Sequence, residues 1–164
     1  QMLLNAEGIL RDNVDPFEQA TILRLAGIYG PGRHYLLDSV RSGKSVLSGR
    51  GDYLVNLIHL HDICLAIWLA FMEGPQTQLR IYNIADGNPA SRREIVAWLA
   101  SQIGQPAPQF DPDAAGQRAQ RRANRQGHIP DRHILAGKAR EELNWKPRYP
   151  DYKAGFGELL ERDE

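Results

Sequence analysis

Two stretches hold most of the residues whose types and spacing could do chemistry: "IYGPGRH", Ile28 to His34, and "NLIHLHD", Asn56 to Asp62. In the first, an apolar run ends abruptly in Tyr29, Gly30, Pro31, Gly32 and Arg33. Glycines let a ligand approach the backbone, proline fixes one backbone angle, tyrosine offers a hydroxyl at a rim, and arginine grips a phosphate or carboxylate. The plainer alternative is a tight connection that carries a surface arginine. In the second stretch His59 and His61 share one face of an extended segment, with Asp62 and Cys64 close behind, which raises the question of a metal. Asp62 is better used as a structural cap, accepting hydrogen bonds from the free amides of a helix's first turn. Cys64 falls inside an apolar helix and no second ligand cluster appears, so no metal is expected. His59 is then either a hydrogen-bonding residue facing a pocket or a core histidine with satisfied nitrogens.

A third group is the arginines of residues 111–133, a stretch with no apolar period that reads as a flexible arginine-rich loop. Arg118, Arg121, Arg122, Arg125 and Arg132 are diluted by Asp111, Asp113 and Asp131 and lack interleaved aromatics, so nucleic acid is not the expected partner. The loop is a solvated surface or a lid over an anionic ligand. No glycine-rich turn follows a first strand, and there is neither a phosphate-binding loop, nor a Tyr-x-x-x-Lys pair, nor a G-x-S-x-G nucleophile. The chain therefore offers no catalytic residue of its own and no ordinary seat for a dinucleotide pyrophosphate.

The elements that must position these residues follow from periodicity. Met2 to Arg11 puts Leu3, Ala6 and Leu10 on one helical face. Thr21 to Tyr29 reads as one central strand covered on both faces. Tyr35 to Val40 reads as a short helix, Val46-Leu47 as an extended piece, and the segment entering Asp62 as a strand that runs into a helix. That helix, Ile63 to Met72, is apolar on every side, which predicts deep burial. After the strand and turn "RIYNIADG", Ser91 and Glu94 have the S-x-x-E spacing of a capping box, with Ser91 as the cap and Gly104 as the left-handed stop. Helical spacing returns at Leu135, Ala139 and Leu143, and again at Tyr152, Phe156 and Leu159.

Alternating strands and helices predict an α/β protein. With 164 residues, 42% of them hydrophobic, the chain is long enough for one domain with a core. Yet so few good strands make an incomplete sheet, which needs a further portion or a partner to cover it. Twenty basic against twenty acidic side chains exclude a general attraction to nucleic acid or anionic membrane. No apolar run reaches the roughly 20 residues that cross a bilayer, and a single cysteine fits a reducing compartment, so the cytoplasm is the expected location.

Taken in order, "RLAGIYGPG", "NLIHLHDICLAIWLA", "YNIADGNPASRREIVAWLA" and "LNWKPRYPDYKAGFGELL" resemble the C-terminal half of the extended or atypical short-chain dehydrogenase/reductases, the NAD-dependent epimerase/dehydratase-like family. The resemblance implies the C-terminal portion of a Rossmann-like fold with a small helical substrate-binding lobe, forming one unit over residues 1–164. "NAEGIL" resembles the helix after that family's Tyr-x-x-x-Lys pair, so the start reads as a cut. It also implies an oxidoreductase or isomerase that uses NAD or NADP, bound mainly by a missing N-terminal half. The substrate would be sugar-like or another small carbonyl or hydroxyl compound, and the chain alone would be inactive. Tyr29, Gly30, Pro31 and Gly32 would line the cofactor side of the cleft, and Arg33, Asn56, His59, Asn124 and Arg125 the substrate side. Partners would be the missing half or a partner subunit, and a homodimer is compatible. Val55 and Asn56 replace an Arg-Asp pair of nucleotide-sugar members, and Leu3 falls where the paired lysine would align. These departures point to the atypical branch and to an alternative, a catalytically degenerate nucleotide-binding or regulatory protein.

Overall fold

The computed structural model describes residues 2–13, 20–73, 79–114 and 131–162. Asn124, Arg125 and most of the arginine-rich stretch lie outside the described residues. The first half contains α1 (Met2–Asn13), β1 (Thr21–Leu25), β2 (Gly27–Tyr29), α2 (Tyr35–Arg41), β3 (Val46–Ser48), β4 (Leu54–Val55), β5 (Leu57–His59) and α3 (Leu60–Met72). The second contains β6 (Arg80–Ile84), β7 (Ala90–Ser91), α4 (Arg92–Gln102), β8 (Gln109–Asp111), α5 (Gly137–Glu142) and α6 (Tyr152–Arg162). The fold is α/β with small, mostly parallel sheets, as the alternation of patterns predicts, and the sheet is incomplete.

The expected central strand is two strands. β1 runs parallel to β6, from Thr21 opposite Arg80 to Leu25 opposite Ile84, whereas β2 runs parallel to β5, from Gly27 opposite Leu57 to Tyr29 opposite His59. The change of partner falls at Ala26, whose amide donates to the Ile84 carbonyl at 3.0 Å while the Gly27 amide donates to the Asn56 carbonyl at 2.9 Å. Nor is β1 covered on both faces among the described residues. Thr21, Arg24 and Leu25 are exposed, and the contact from α1 is an ion pair, Glu7 with Arg24. α1 leaves Leu3, Leu4 and Ile9 on its outer side.

β2 and β5 form a wall between two cores. Tyr29 and Leu57 face one, built with Leu36, Leu37, Ile95, Leu99 and Phe156. Ile28 and Ile58, each one residue away along its strand and therefore on the opposite face, pack into the other with Tyr82, Ile84, Ala139 and Trp145. Complete burial of one such large apolar side chain contributes about 1.5–3 kcal/mol.

α3 departs from the expected deep burial. Asp62, Ile63 and Ala66 are its buried residues, while Ile67, Trp68, Phe71 and Met72 are 53–78% exposed. The helix lies on β1 and β5 with one side only, so its all-round apolarity reports composition and not coverage. Its start also differs: the N-cap is His59, whose Nδ1 accepts from the His61 amide at 3.2 Å. Asp62 is the third residue of the helix and does not cap it. Its carboxylate instead accepts the Arg148 amide at 2.7 Å and the Tyr149 amide at 3.1 Å, both from the chain returning at 148–149.

Other local expectations hold. Ser91 and Glu94 form the reciprocal capping box, with Oγ of Ser91 accepting from the Glu94 amide at 3.1 Å and Glu94 accepting from the Ser91 amide at 2.8 Å. Gly104 takes positive φ, 66°, at the helix end where it is expected as a left-handed stop, and Asn144 takes φ 49° just after α5. Among the described residues no helix is long and apolar enough to cross a membrane.

Candidate functional site

β2, β5 and β6 carry their C-terminal residues to one region, where Tyr29-Gly30, His59 and the turn Asp86-Gly87-Asn88 come next to one another. The Asp86 amide donates to the Leu57 carbonyl at 2.9 Å, which ties the exit of β6 to β5. The corner after β2 is a closed turn: the Gly30 amide donates to the Arg33 carbonyl at 3.0 Å, and the Arg33 amide donates back at 2.9 Å. Pro31 and Gly32 form its tip, Gly32 with φ +69°. Gly30 has φ +152°, and a Cβ there would stand 2.9 Å from the Leu60 Cβ, so the turn presses on the first residue of α3 and admits no side chain. Pro31, Gly32 and Arg33 are exposed, which leaves the Arg33 guanidinium at the rim.

Tyr29 does not offer its hydroxyl at that rim. It is 2% exposed, with its ring 4.6 Å from Phe156 and 5.1 Å from His59, and the hydroxyl donates to the Asp151 carbonyl at 3.4 Å. The sequence marks a polar corner, but alternation along β2 turns this side chain into the first core. Burial, reinforced by the negative charges of Asp86, Asp62 and Asp151, pushes the phenol well above its ordinary pKa. The ring is thereby a packing group of the first core.

His59 is buried beside it, its ring 4.0 Å from that of Tyr149. Because Nδ1 accepts the His61 amide, the proton of the neutral ring sits on Nε2. Asn56 lies at the other end of β5. Its Nδ2 donates to the Arg132 carbonyl and its Oδ1 accepts the Ile134 amide, both at 2.7 Å, so both ends of the amide are engaged with the chain returning from the arginine-rich stretch. Asp131 helps to hold the same segment by accepting the Leu54 amide at 2.7 Å. The structure thus brings Tyr29, Gly30 and His59 together, holds Arg33 on the exposed side of the turn, and sets Asn56 apart as a tether.

Sequence reasoning missed Asp86 and Tyr149. Asp86 is 1% exposed, one carboxylate oxygen accepts the Asn88 amide at 3.0 Å, and the other, Oδ2, has no hydrogen-bond partner. Burial, with the Asp151 charge added, pushes its pKa up to about 7 against the opposing Asn88 and Gly87 amides and Arg140. An acid between Ala85 and the turn residues Gly-Asn-Pro, just past a strand end, was the available signal.

Among the described residues, no three or more of His, Cys, Asp and Glu gather to hold a metal: His61 and Cys64 are exposed while His59 is buried. At the corner the exposed Arg33 follows directly on a wall formed by the buried Tyr29 and His59. The amides of Gly30 and Arg33 are used within their own turn, so the corner does not form a phosphate cradle.

No family model matches the chain. It is 37% identical to protein YeeZ of Escherichia coli K12 over 95 residues, which is 58% of this chain and 32% of that protein. It is 28% identical to a 3-diazoavenalumate denitrifying reductase of a Streptomyces species over 141 residues, 83% of this chain and 45% of the reductase. In structure it is similar to UDP-glucose 4-epimerase of Bifidobacterium longum in complex with NAD+ and UDP, at TM-score 0.73 and 21% identity, covering 98% of this chain and 53% of that one. The chain spans about half the length, or less, of these relatives. Further relatives in sequence are a UDP-glucose 4-epimerase and a dTDP-glucose 4,6-dehydratase. In fold, the chain is similar to NAD-dependent epimerases and dehydratases.

Proposed function

We propose that this chain is the substrate-facing portion of an NAD(P)-dependent epimerase/dehydratase-like oxidoreductase, acting on a sugar-like or other small carbonyl or hydroxyl compound. The supporting observation is the corner at the ends of β2 and β5, where a stiff turn presents Arg33 at the place α/β folds take their ligands. The names of the relatives support the same reaction class. The described residues do not fit a whole dinucleotide, since the turn that could cradle a pyrophosphate is closed on itself. The cofactor in this reading is held by residues outside this chain, in the same polypeptide or in a partner subunit. When bound, such a cofactor supplies hydride transfer. This chain's part is to shape the substrate pocket with Pro31 and Gly32, to hold an anionic or polar group on Arg33, and to keep His59 and Tyr29 fixed beneath.

The test compares the 164-residue chain with a longer polypeptide that also contains a glycine-rich dinucleotide-binding portion. Mixed with NADH or NADPH and carbonyl substrates, the shorter chain is expected to give no turnover. In the longer polypeptide Arg33→Ala is expected to raise KM roughly tenfold or more, with cofactor affinity unchanged. Turnover by the 164-residue chain alone, or an unchanged KM, overturns the reading. A second reading, a nucleotide-binding protein without hydride transfer, rests on Leu3, which is 81% exposed on α1 where the family resemblance aligns a lysine. Cofactor binding by the longer polypeptide without turnover of any carbonyl or hydroxyl substrate favours that second reading.

A further inference from the structure

The turn after β6 is a junction. Four neighbouring pieces are fastened to three consecutive residues: the Asp86 amide to the Leu57 carbonyl of β5 at 2.9 Å, an Arg140 Nη of α5 to the Asp86 carbonyl at 2.6 Å, His133 Nε2 to the Gly87 carbonyl at 2.9 Å, and Asn88 Nδ2 to the Pro150 carbonyl at 2.7 Å. Under this junction lies the Asp86 carboxyl. We propose that it is a proton switch: neutral, it stays buried and the 86–88 turn keeps its tethers; ionised, it draws the turn toward water and loosens them. The inference stands independently of the function proposed above.

The argument is one of contrast. Two aspartates are almost wholly buried in this region, Asp62 and Asp86. Asp62 accepts two backbone amides and has the His61 ring 3.5 Å away, so both its oxygens are served. Asp86 has one oxygen served by the Asn88 amide and one, Oδ2, with no partner. A buried carboxylate with a bare oxygen is far more expensive than a buried carboxylic acid in the same place. The charged and titratable groups around it do not remove that penalty. Asp151, ahead of α6, repels a second negative charge, and Arg140 is an attraction too weak to outweigh burial, its nearest contact being with the Asp86 carbonyl. Tyr29 from β2 is a phenol, raised by the same acids, and cannot supply a positive charge. His133 is hydrogen-bonded to the Gly87 carbonyl, and His59 stands two residues beyond Leu57 on β5, itself under Tyr149. Burial, with the Asp151 charge added, outweighs the Asn88 and Gly87 amides and Arg140 and pushes the Asp86 pKa up to about 7, so the switch sits in the neutral range. Asp86 lies two residues from the exposed Asn88, so the carboxylate reaches water by opening the turn between them, and the turn's tethers are the bonds that give way.

The sign follows from linkage. The native state holds the Asp86 proton more tightly than an opened state with an ordinary aspartate, so its stabilising contribution is complete below about pH 4 and is lost as pH rises through about 7. The opening constant of the turn is therefore expected to rise about tenfold between pH 6 and pH 8. On the full chain, hydrogen exchange at the Asp86 and Asn88 amides, corrected for intrinsic rates, reads that constant. Asp86→Asn keeps an acceptor for the Asn88 amide and removes the charge. The margin by which the thermal midpoint of this variant exceeds that of the unsubstituted chain is expected to grow by several degrees between pH 5 and pH 8. Carboxyl-carbon NMR on the unsubstituted chain is a second measurement that needs no variant, and it is expected to show one aspartate titrating between pH 6 and 8. A midpoint difference that stays constant from pH 5 to 8, a pH-independent opening constant, or the absence of any aspartate titrating above pH 5 overturns the proposal.

Discussion

Gly155 holds open the space that the Tyr29 hydroxyl fills. A Cβ at that position would collide with the hydroxyl, on a helix whose Phe156 already packs on the same ring. Gly155→Ala is therefore expected to destabilise the chain by about 1–3 kcal/mol in urea unfolding, as overpacking does, despite the better helix propensity of alanine. Tyr29→Phe removes only a long hydrogen bond and is expected to stay within about 1 kcal/mol. Asp62 gives the opposite case. Asp62→Ala leaves the Arg148 and Tyr149 amides without their acceptor and is expected to lose about 1–3 kcal/mol for each amide left buried and unpaired, with a smaller loss for Asp62→Asn. Neither role was legible in the sequence. Tyr29 could be read as polar because it borders Gly-Pro-Gly, and Asp62 as a cap because it borders a helix. The deciding neighbours, Gly155 and residues 148–149, are more than eighty positions away.

At the scale of elements, what depends on residues a few positions apart was readable, and what depends on coverage was not. The box of Ser91 and Glu94 needs only its own spacing, and Ser91→Ala is expected to lower stability by about 1 kcal/mol, with the Glu94 amide exchanging faster. The turn Gly30–Arg33 was readable for the same reason: Pro-Gly chemistry closes it locally. α3 shows the limit. Its apolar run gives the helix, but the side that is covered depends on where β1 and β5 lie, so Ile67, Trp68, Phe71 and Met72 face outward. Phe71→Gln is accordingly expected to change the unfolding free energy of this chain by no more than about 0.5 kcal/mol. A loss of several kcal/mol would mean that the residue is buried in solution. The split of the expected strand at Ala26 was equally hidden, since an apolar run does not say how many partners it has.

For the whole molecule, the wall formed by β2 and β5 makes the two cores one cooperative unit. Trp98 packs at the edge of the first core and Trp145 lies inside the second, so variants that lack the exposed Trp68 and keep only one of these two tryptophans report the cores separately. In each variant the fluorescence midpoint in urea is expected to coincide with the far-ultraviolet midpoint, because neither core survives loss of the strands it shares. Two separated transitions would contradict a shared wall. The α/β class and the order of elements were legible because each depends on runs and periods. The wall was not, because it is made by which face of a three-residue strand looks which way.

That wall also restricts how the length of the chain can vary. Side chains alternate along β2, so one residue inserted at Ala26 would turn Tyr29 toward the second core and Ile28 toward the first, exchanging a phenol and an aliphatic group on both sides at once. β1 cannot absorb the slip, because its register with β6 is fixed from Thr21 to Leu25. The exposed tip at Pro31-Gly32, a few residues away, has no such obligation on either side. Insertions are thus better admitted at the tip than at Ala26, and the count of residues from Thr21 to Tyr29 is set by the volumes of two cores together.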